Sequence, residues 1–314
     1  MRAISGYLKN SRELYHSTSG GLSTALAQAM IDAGGIVYGV RYTEDFYSAQ
    51  YVRIQSHATI KLVQGTKYIR ANPILANGGN VYLSCCDDLS NDKNVLFVGL
   101  PCEIFTLQRK IQEKQINASK LYTVDLVCHG PTEKSVQQQF VRLLENRYNS
   151  KVVFFNTRAK TVGWETASLL AIMENGQKYV RKLNDTEFGI AFNVMPQRCA
   201  FSCKFKGNNH FSDLTIGDYW GCDRSFPEYN LLGVSVGFDH TGRIFDLLSD
   251  DLFKCFETDE KHARLYNPRY DTPLEIGRDY WHFKRLYDKY GLEYACQHRY
   301  SLLSKIKKMF CFKR

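Results

Sequence analysis

The spacing of apolar residues changes several times along the chain, and each change predicts an element. Residues 22–33, Leu-Ser-Thr-Ala-Leu-Ala-Gln-Ala-Met-Ile-Asp-Ala, read as a helix that Gly34-Gly35 stops. Ile36 to Val40 reads as a strand. Residues 94–98, Asn-Val-Leu-Phe-Val, form a short apolar run closed by Gly99. That is the pattern of a strand buried on both faces of a parallel sheet. Glu103 to Gln115 follows as a helix, Leu121 to Val127 as the next buried strand, and Glu133 to Tyr148 as a second amphipathic helix. The alternating order predicts strand–helix–strand units with right-handed crossovers.

From about residue 150 the pattern becomes more β-like. Val152 to Phe155, Ser168 to Met173 and Gly233 to Phe238 are strand candidates. Asn175-Gly176 predicts a hairpin turn into Lys178-Tyr179-Val180. The final stretch reads as polar and helical. The expected fold class is therefore α/β: a mixed sheet with a parallel strand–helix core, a more β-rich second half and a helical C-terminal tail. The expected divisions are residues 1–84, 94–250 and 251–314.

With 314 residues, 44% of them hydrophobic, the chain can bury one large core or two modest ones. It holds no run of 18 or more apolar residues, so no membrane-spanning helix is expected. The start, Met-Arg-Ala-Ile-Ser-Gly, lacks the apolar region of a secretory signal, and a cytoplasmic location is expected. In a reducing compartment, ten cysteines point to metal binding or redox chemistry more than to disulfides. The net charge of +9 is partly local. Residues 297–314 carry Arg299, Lys305, Lys307, Lys308, Lys313 and Arg314 and no acid, interspersed with Leu302, Leu303, Ile306, Met309, Phe310 and Phe312. Such a segment suits either peripheral contact of residues 299–314 with an anionic membrane or a helix packed on the domain. No nucleic-acid-binding signature is present, and no nucleic-acid partner is expected.

Four segments carry candidate chemistry. In the first, Ser19-Gly20-Gly21 precedes a helix that begins with Ser23 and Thr24. Free N–H groups and hydroxyls at such a start can hold a phosphate, and a capped turn gives the same pattern. The second, Gly65-Thr66-Lys67-Tyr68, sets a cation and an aromatic ring beside a glycine turn. The third pairs Gly99-Leu100-Pro101-Cys102 with Cys128-His129-Gly130-Pro131. Both cysteines fall just past predicted parallel strands, at the edge where ligand sites collect in open α/β sheets. The fourth runs from Arg198 to Gly221 and holds Cys199 and Cys203. Cys102, Cys128, Cys199 and Cys203 together supply four thiolates, the ligand number of a [4Fe–4S] cluster and of structural zinc. Only one local pair exists, whereas zinc knuckles use two, and this favours the cluster. Cys128-His129 also has the composition of a cysteine hydrolase site. Neighbours on an extended segment point apart, however, so His129 is badly placed to activate Cys128.

Taken in order, these segments resemble the coenzyme F420 hydrogenase/dehydrogenase beta subunit family. The likeness rests on Ser19-Gly20-Gly21, Gly65-Thr66-Lys67-Tyr68, Gly99-Leu100-Pro101-Cys102, Asp125-Leu126-Val127-Cys128-His129-Gly130, Gly163-Trp164, the Cys199/Cys203 pair and Ser212-Asp213-Leu214-Thr215-Ile216-Gly217-Asp218-Tyr219-Trp220-Gly221. It implies an oxidoreductase with FAD and one [4Fe–4S] cluster, moving electrons between a low-potential donor, such as ferredoxin or a partner subunit, and a substrate. Short bacterial relatives look like parts of surface-polysaccharide biosynthesis. The implied roles are flavin binding for residues 1–84, iron–sulfur and flavin binding for 94–250, and a basic helical tail for 251–314. The FAD residues would be Ser19, Gly20, Gly21, Ser23, Thr24, Gly65, Thr66, Lys67 and Tyr68, with Gly20 admitting the pyrophosphate and Lys67 balancing its charge.

Two departures stand out. No Cys-x-x-Cys-x-x-Cys segment occurs, so a second cluster is not expected. Three residues rather than two separate Cys199 from Cys203, with Ala200 where a first cysteine would fall, and Cys222 is the alternative fourth ligand. A chain without a Gly-x-Gly-x-x-Gly fingerprint should be reduced slowly by NADH. The alternative function is a non-catalytic or zinc-binding accessory protein of polysaccharide assembly.

Overall fold

The computed structural model describes residues 2–207 and 209–299. Apart from Arg299, the basic segment 299–314 lies outside the described residues. Strands are β1 (Arg2–Leu8), β2 (Ile36–Tyr42), β3 (Ala49–Ile54), β4 (Ala71–Asn72), β5 (Val95–Gly99), β6 (Leu121–Leu126), β7 (Val152–Ala159), β8 (Ser168–Met173), β9 (Lys178–Lys182), β10 (Leu214–Asp218), β11 (Ser235–Asp239) and β12 (Phe253–Thr258). Helices are α1 (Ser11–His16), α2 (Leu22–Asp32), α3 (His57–Ile60), α4 (Val81–Ser90), α5 (Pro101–Glu113), α6 (Lys134–Tyr148), α7 (Glu187–Ile190), α8 (Gln197–Phe201), α9 (Glu260–Leu265), α10 (Arg278–Tyr290) and α11 (Leu292–Gln297).

Nine strands form one mixed sheet in the order β12-β1-β11-β10-β6-β5-β2-β3-β4. Its centre, β10-β6-β5-β2, is parallel. The expected fold class holds: a parallel strand–helix core, a small antiparallel sheet β7-β8-β9, and C-terminal helices. The large sheet draws strands from residue 2 to residue 258, so the boundaries expected near 84–94 and 250 both fall between strands of one sheet. In the described part of the tail, β12 precedes helices α9, α10 and α11.

Alternation explains the contiguous apolar run at residues 95–98. Val95 and Phe97 pack with α4 and α5 on one face, in a core that includes Tyr38, Tyr51, Cys85 and Leu107. Leu96 points to the other face, where α2 supplies Leu22, Leu26 and Met30. Each such large side chain, fully buried, contributes roughly 1.5–3 kcal/mol. The small sheet forms its own core with α6, α10 and α11 through Phe140, Phe155, Phe188 and Tyr287. The hairpin turn at Asn175-Gly176 is present, with Gly176 at φ 83° and its N–H donating to the Met173 carbonyl.

The loop before α2 is packed into the sheet. A Cβ on Gly20 would lie 2.0 Å from the Gly6 carbonyl oxygen and 2.4 Å from the Ser235 nitrogen, both backbone atoms of the sheet. Gly20→Ala should therefore destabilise the fold by about 3 kcal/mol or more, as overpacking against atoms that cannot move aside does. Gly176→Ala, which meets no atom within 4 Å, should lose only about 1 kcal/mol to its left-handed backbone. Urea midpoints of the two variants check this, and equal losses would contradict it.

Candidate functional site

Neighbouring parallel strands bring Cys102 and Cys128 together. β5 and β6 run in register, with Gly99 opposite Asp125, so their C-terminal ends coincide. After β5, Pro101 opens α5, where a missing N–H is harmless. Glu103 fixes that first turn: its buried carboxylate accepts from the Leu100 N–H at 2.9 Å and from the Tyr51 hydroxyl at 2.7 Å. Cys102 thus sits in the first turn of α5, and Cys128 follows β6 by two residues. Cys199 lies on α8 and Cys203 just beyond it. Gly130 permits the close approach of these two regions. At φ 114°, its absent Cβ would lie 2.6 Å from the Met195 sulfur and 3.4 Å from the Cys199 Cβ.

All four cysteines line one cavity of about 480 Å³, mouth included, with Arg70, Arg198 and Lys206 among its walls. Burial pushes the Cys102 thiol up to about 11 and that of Cys128 up to about 12, and it raises Cys199 as well. Lys206 donates to the backbone carbonyls of Cys128 and Arg269. No three His, Cys, Asp or Glu among the described residues are arranged to ligate a single metal ion. Cys222 is elsewhere, buried in a core with Tyr219, Val234, Phe238 and Ala263, so of the two candidates it is Cys199 that shares the cavity. The His129 ring nitrogens lie 3.0 Å from the Gly130 carbonyl and 2.9 Å from the Asn193 side-chain oxygen, and its ring packs on Phe192. Neither contact directs it at Cys128.

The glycine-turn segments meet at a second locus. The hydroxyls of Thr18 and Thr66 are 2.8 Å apart, which joins the loop before α2 to the loop before β4. Ser19 is buried and donates to the Val234 carbonyl, and Thr24 accepts from Ser17 at 2.8 Å. Gly20 and Gly21 are buried as well, while Thr18 and Ser23 are partly exposed. The requirement for Gly20 is accounted for by its contact with β1 and the start of β11. Lys67 donates to the carbonyls of Leu62, Gln64 and Gly65. Tyr68 packs edge-on to Phe192 and accepts from Arg158 at 3.1 Å.

β7 contributes residues that sequence reasoning did not single out. Arg158 forms a two-point pair with Asp218 at 3.1 and 3.2 Å. Just past β7, Lys160 is buried and donates to the carbonyls of Leu14 and Ser19, and among the described residues no carboxylate is in direct contact with it, though Asp218 acts on it at longer range. Burial lowers both Lys160 and Lys67 from an ordinary 10.5 to about 7. Trp164 is buried and stacks on Trp220 at 5.3 Å, and its indole Nε1 has no hydrogen-bond partner. The sequence did carry a signal here. In Thr157-Arg158-Ala159-Lys160 two cations occupy one face at the end of an apolar strand, a pattern that needs an anion or a carboxylate to face it.

The two loci are contiguous. The Tyr68 carbonyl accepts from the Thr132 N–H at 2.8 Å, and Ile69 forms a parallel bridge with Thr132. The loop that holds Lys67 and Tyr68 therefore delivers Arg70 to the cysteine cavity.

Residues 92–238 match the family described as the C terminus of the coenzyme F420 hydrogenase/dehydrogenase beta subunit. No curated protein matches the chain significantly. Among solved structures, a chain of the xenon-derivatised F420-reducing [NiFe] hydrogenase complex from Methanosarcina barkeri is similar. It shares 18% identity at a TM-score of 0.55, over 86% of this chain and 89% of that one. At that identity the likeness is one of fold. Among the described residues no helix is long and apolar enough to cross a membrane.

The buried lysines set a pH dependence. Their folded values lie below the unfolded one, so the unfolded chain binds more protons between pH 7 and 10.5, and stability rises with pH across that window. The raised thiols act oppositely, but only as pH climbs past their ordinary 9. The unfolding free energy of the cofactor-free chain, from urea titration, should therefore rise from pH 7 to about 8.5, by at most about 1.4 kcal/mol per pH unit for each lysine. Lys160→Met should flatten that rise. An unchanged slope in the variant would show that Lys160 titrates normally.

Proposed function

We propose that the chain is a flavin- and iron–sulfur-dependent electron-transfer oxidoreductase. One [4Fe–4S] cluster is held by Cys102, Cys128, Cys199 and Cys203, and FAD is held at the adjoining lysine-rich locus. The observation that carries the reading is the meeting of four cysteines, from two strand ends and the α8 segment, in one cavity one loop away from the buried Lys160 and the partly buried Lys67, which both donate to backbone carbonyls.

The residues fit these groups. Four soft thiolates are the donor set of a cubane cluster, in which each ligates a different iron. Cysteines drawn from two separate strand ends and one short segment suit that arrangement better than structural zinc, which uses two local cysteine pairs. Arg70, Arg198 and Lys206 offset the negative charge of such a centre. At the other locus, Lys67 and Lys160 bind only backbone carbonyls, and an anion beside them would favour their charged forms. Thr18 and Thr66 add hydroxyls, and the Trp164–Trp220 stack with Arg158 forms an aromatic wall. Of the sequence candidates, Thr66, Lys67 and Tyr68 take direct roles in this reading. Ser19, Gly20, Gly21 and Thr24 shape the loop behind them, and Gly65 provides the turn at φ 75°.

A bound flavin supplies the exchange between one-electron and two-electron chemistry. The chain's own residues hold its phosphates, keep the two loci adjacent and shield the thiolates. Electrons come from a low-potential donor, ferredoxin or a partner subunit.

Replacing Cys102, Cys128, Cys199 or Cys203 with Ser should each remove the brown visible absorption of the anaerobically purified chain, whereas Cys222→Ser and Cys255→Ser should retain it. Lys160→Met should weaken FAD binding by about tenfold or more, the worth of one charge-assisted hydrogen bond. Titration of FAD into the flavin-free protein, followed by flavin fluorescence, measures this. Unaltered affinity in both Lys67→Met and Lys160→Met would place the flavin elsewhere.

A further inference from the structure

We propose that the exposed face formed by α8 and the first half of α10 is the docking surface for a small acidic electron-carrier protein. The proposal rests on the iron–sulfur reading of the cysteine cavity and names where its donor sits.

The first observation is an exposed aromatic pair. The rings of Phe201, at the end of α8, and Trp281, on α10, stack at 5.7 Å and 5°, yet the two residues are 52% and 42% exposed. Packing two large rings on each other while leaving both in water keeps apolar area available for a partner, and aromatic residues are enriched at the centres of protein interfaces.

The second is a recess beside the pair, about 620 Å³ with its mouth, whose walls include Met195, Gln197, Tyr280, Trp281 and Arg285, together with Lys284 and the two acids Glu133 and Asp288. Trp281 and Arg285 are four residues apart and share one face of α10. This recess and the cysteine cavity are two sides of one wall. Met195 and Gln197 line the recess, while Pro196, Arg198 and Cys199 line the cavity. A protein seated on Phe201 and Trp281 therefore lies within a turn of α8 of Cys199.

The third is charge. Arg198, Lys204 and Arg285 are exposed and take part in no ion pair among the described residues. Arg70, also exposed, reaches only the buried Glu103, at 3.8 Å. Of the acids of this face, Glu133 and Asp288 share Lys284, at 3.9 and 2.5 Å, and Asp279 is partnered, so the cations Arg198, Lys204, Arg285 and Arg70 outnumber the one negative charge that Lys284 leaves over. A cationic rim around an aromatic centre complements an acidic surface and speeds encounter in a salt-dependent way.

Binding is tested with an oxidised plant-type [2Fe–2S] ferredoxin of strongly acidic surface, immobilised for biolayer interferometry, and the full anaerobically prepared chain. Wild type should bind at low salt and weaken as salt rises. Arg285→Glu and Trp281→Ala should each bind about tenfold more weakly or worse, as truncation of an interface centre or reversal of a rim charge does. Lys178→Glu, on exposed β9, should bind like wild type. Dithionite should reduce all four proteins at equal rates, showing that their cofactors are intact. The proposal is overturned if wild type does not bind, if both α10 variants bind like wild type, or if Lys178→Glu is equally weakened. It is also overturned if the α10 substitutions abolish sedimentation with vesicles containing anionic lipid while ferredoxin binding is unchanged, which would make the face a membrane contact. Iron content separates the two ideas. An iron-free chain that still binds ferredoxin through Arg285 would remove the cluster and keep the docking face.

Discussion

The ion pair between Arg158 and Asp218 holds the site together. It is nearly inaccessible, with side-chain exposures of 7% and 17%, and it makes two contacts, at 3.1 and 3.2 Å. Burial works to lower the Arg158 pKa, and Asp218 with Tyr68 outweighs it, so the guanidinium stays charged. Breaking such a pair leaves one buried charge alone and typically costs about 3–5 kcal/mol. Asp218 ends β10 of the large sheet and Arg158 lies near the end of β7 of the small one, so the pair sets how the two sheets meet. Tyr68, bonded to the same guanidinium, is fixed between them. Because the Tyr68 loop continues to Arg70 at the cysteine cavity, this pair and the bridge of that loop to Thr132 together set the spacing of the two loci.

The two loci have opposite electrostatic demands. Burial lowers Lys67 and Lys160, Asp218 offsets this only in part at Lys160, and an anion such as the proposed FAD pyrophosphate would favour their charged forms. At the cysteine cavity, burial raises the thiols, and their conversion to thiolates depends on a bound metal centre with cations around it. Arg70, Arg198 and Lys206 supply those cations. The two loci thus have complementary electrostatic demands, which supports the proposal of flavin at one and cluster at the other.

The parallel core was legible because residues 95–98 read as an unbroken apolar run and residues 121–127 as a mostly apolar one, interrupted by Thr123 and Asp125. Cys102 and Cys128 were legible as candidates because they follow those strands directly. β1 was not. Its Ser5 is fully buried and bonded to Glu228 and Thr258, partners more than 220 residues away, so no local pattern marks it as a strand. β12 was hidden in an expected helical tail for the same reason, since its strand partner among the described residues is β1. Gly20 was read as a place for a ligand to approach the backbone, but the closest neighbours of its missing Cβ belong to the protein's own sheet. Lys160 takes its meaning from the Ser19 carbonyl 141 residues earlier, a contact that only the folded chain creates.

The central claim is that Cys102, Cys128, Cys199 and Cys203 hold a four-iron cluster. Iron, acid-labile sulfide and zinc measured on one anaerobically purified sample test it most directly. The predicted result is about four irons and four sulfides per chain, as a cubane with one cysteine on each iron requires. One zinc per chain with neither iron nor sulfide would contradict it.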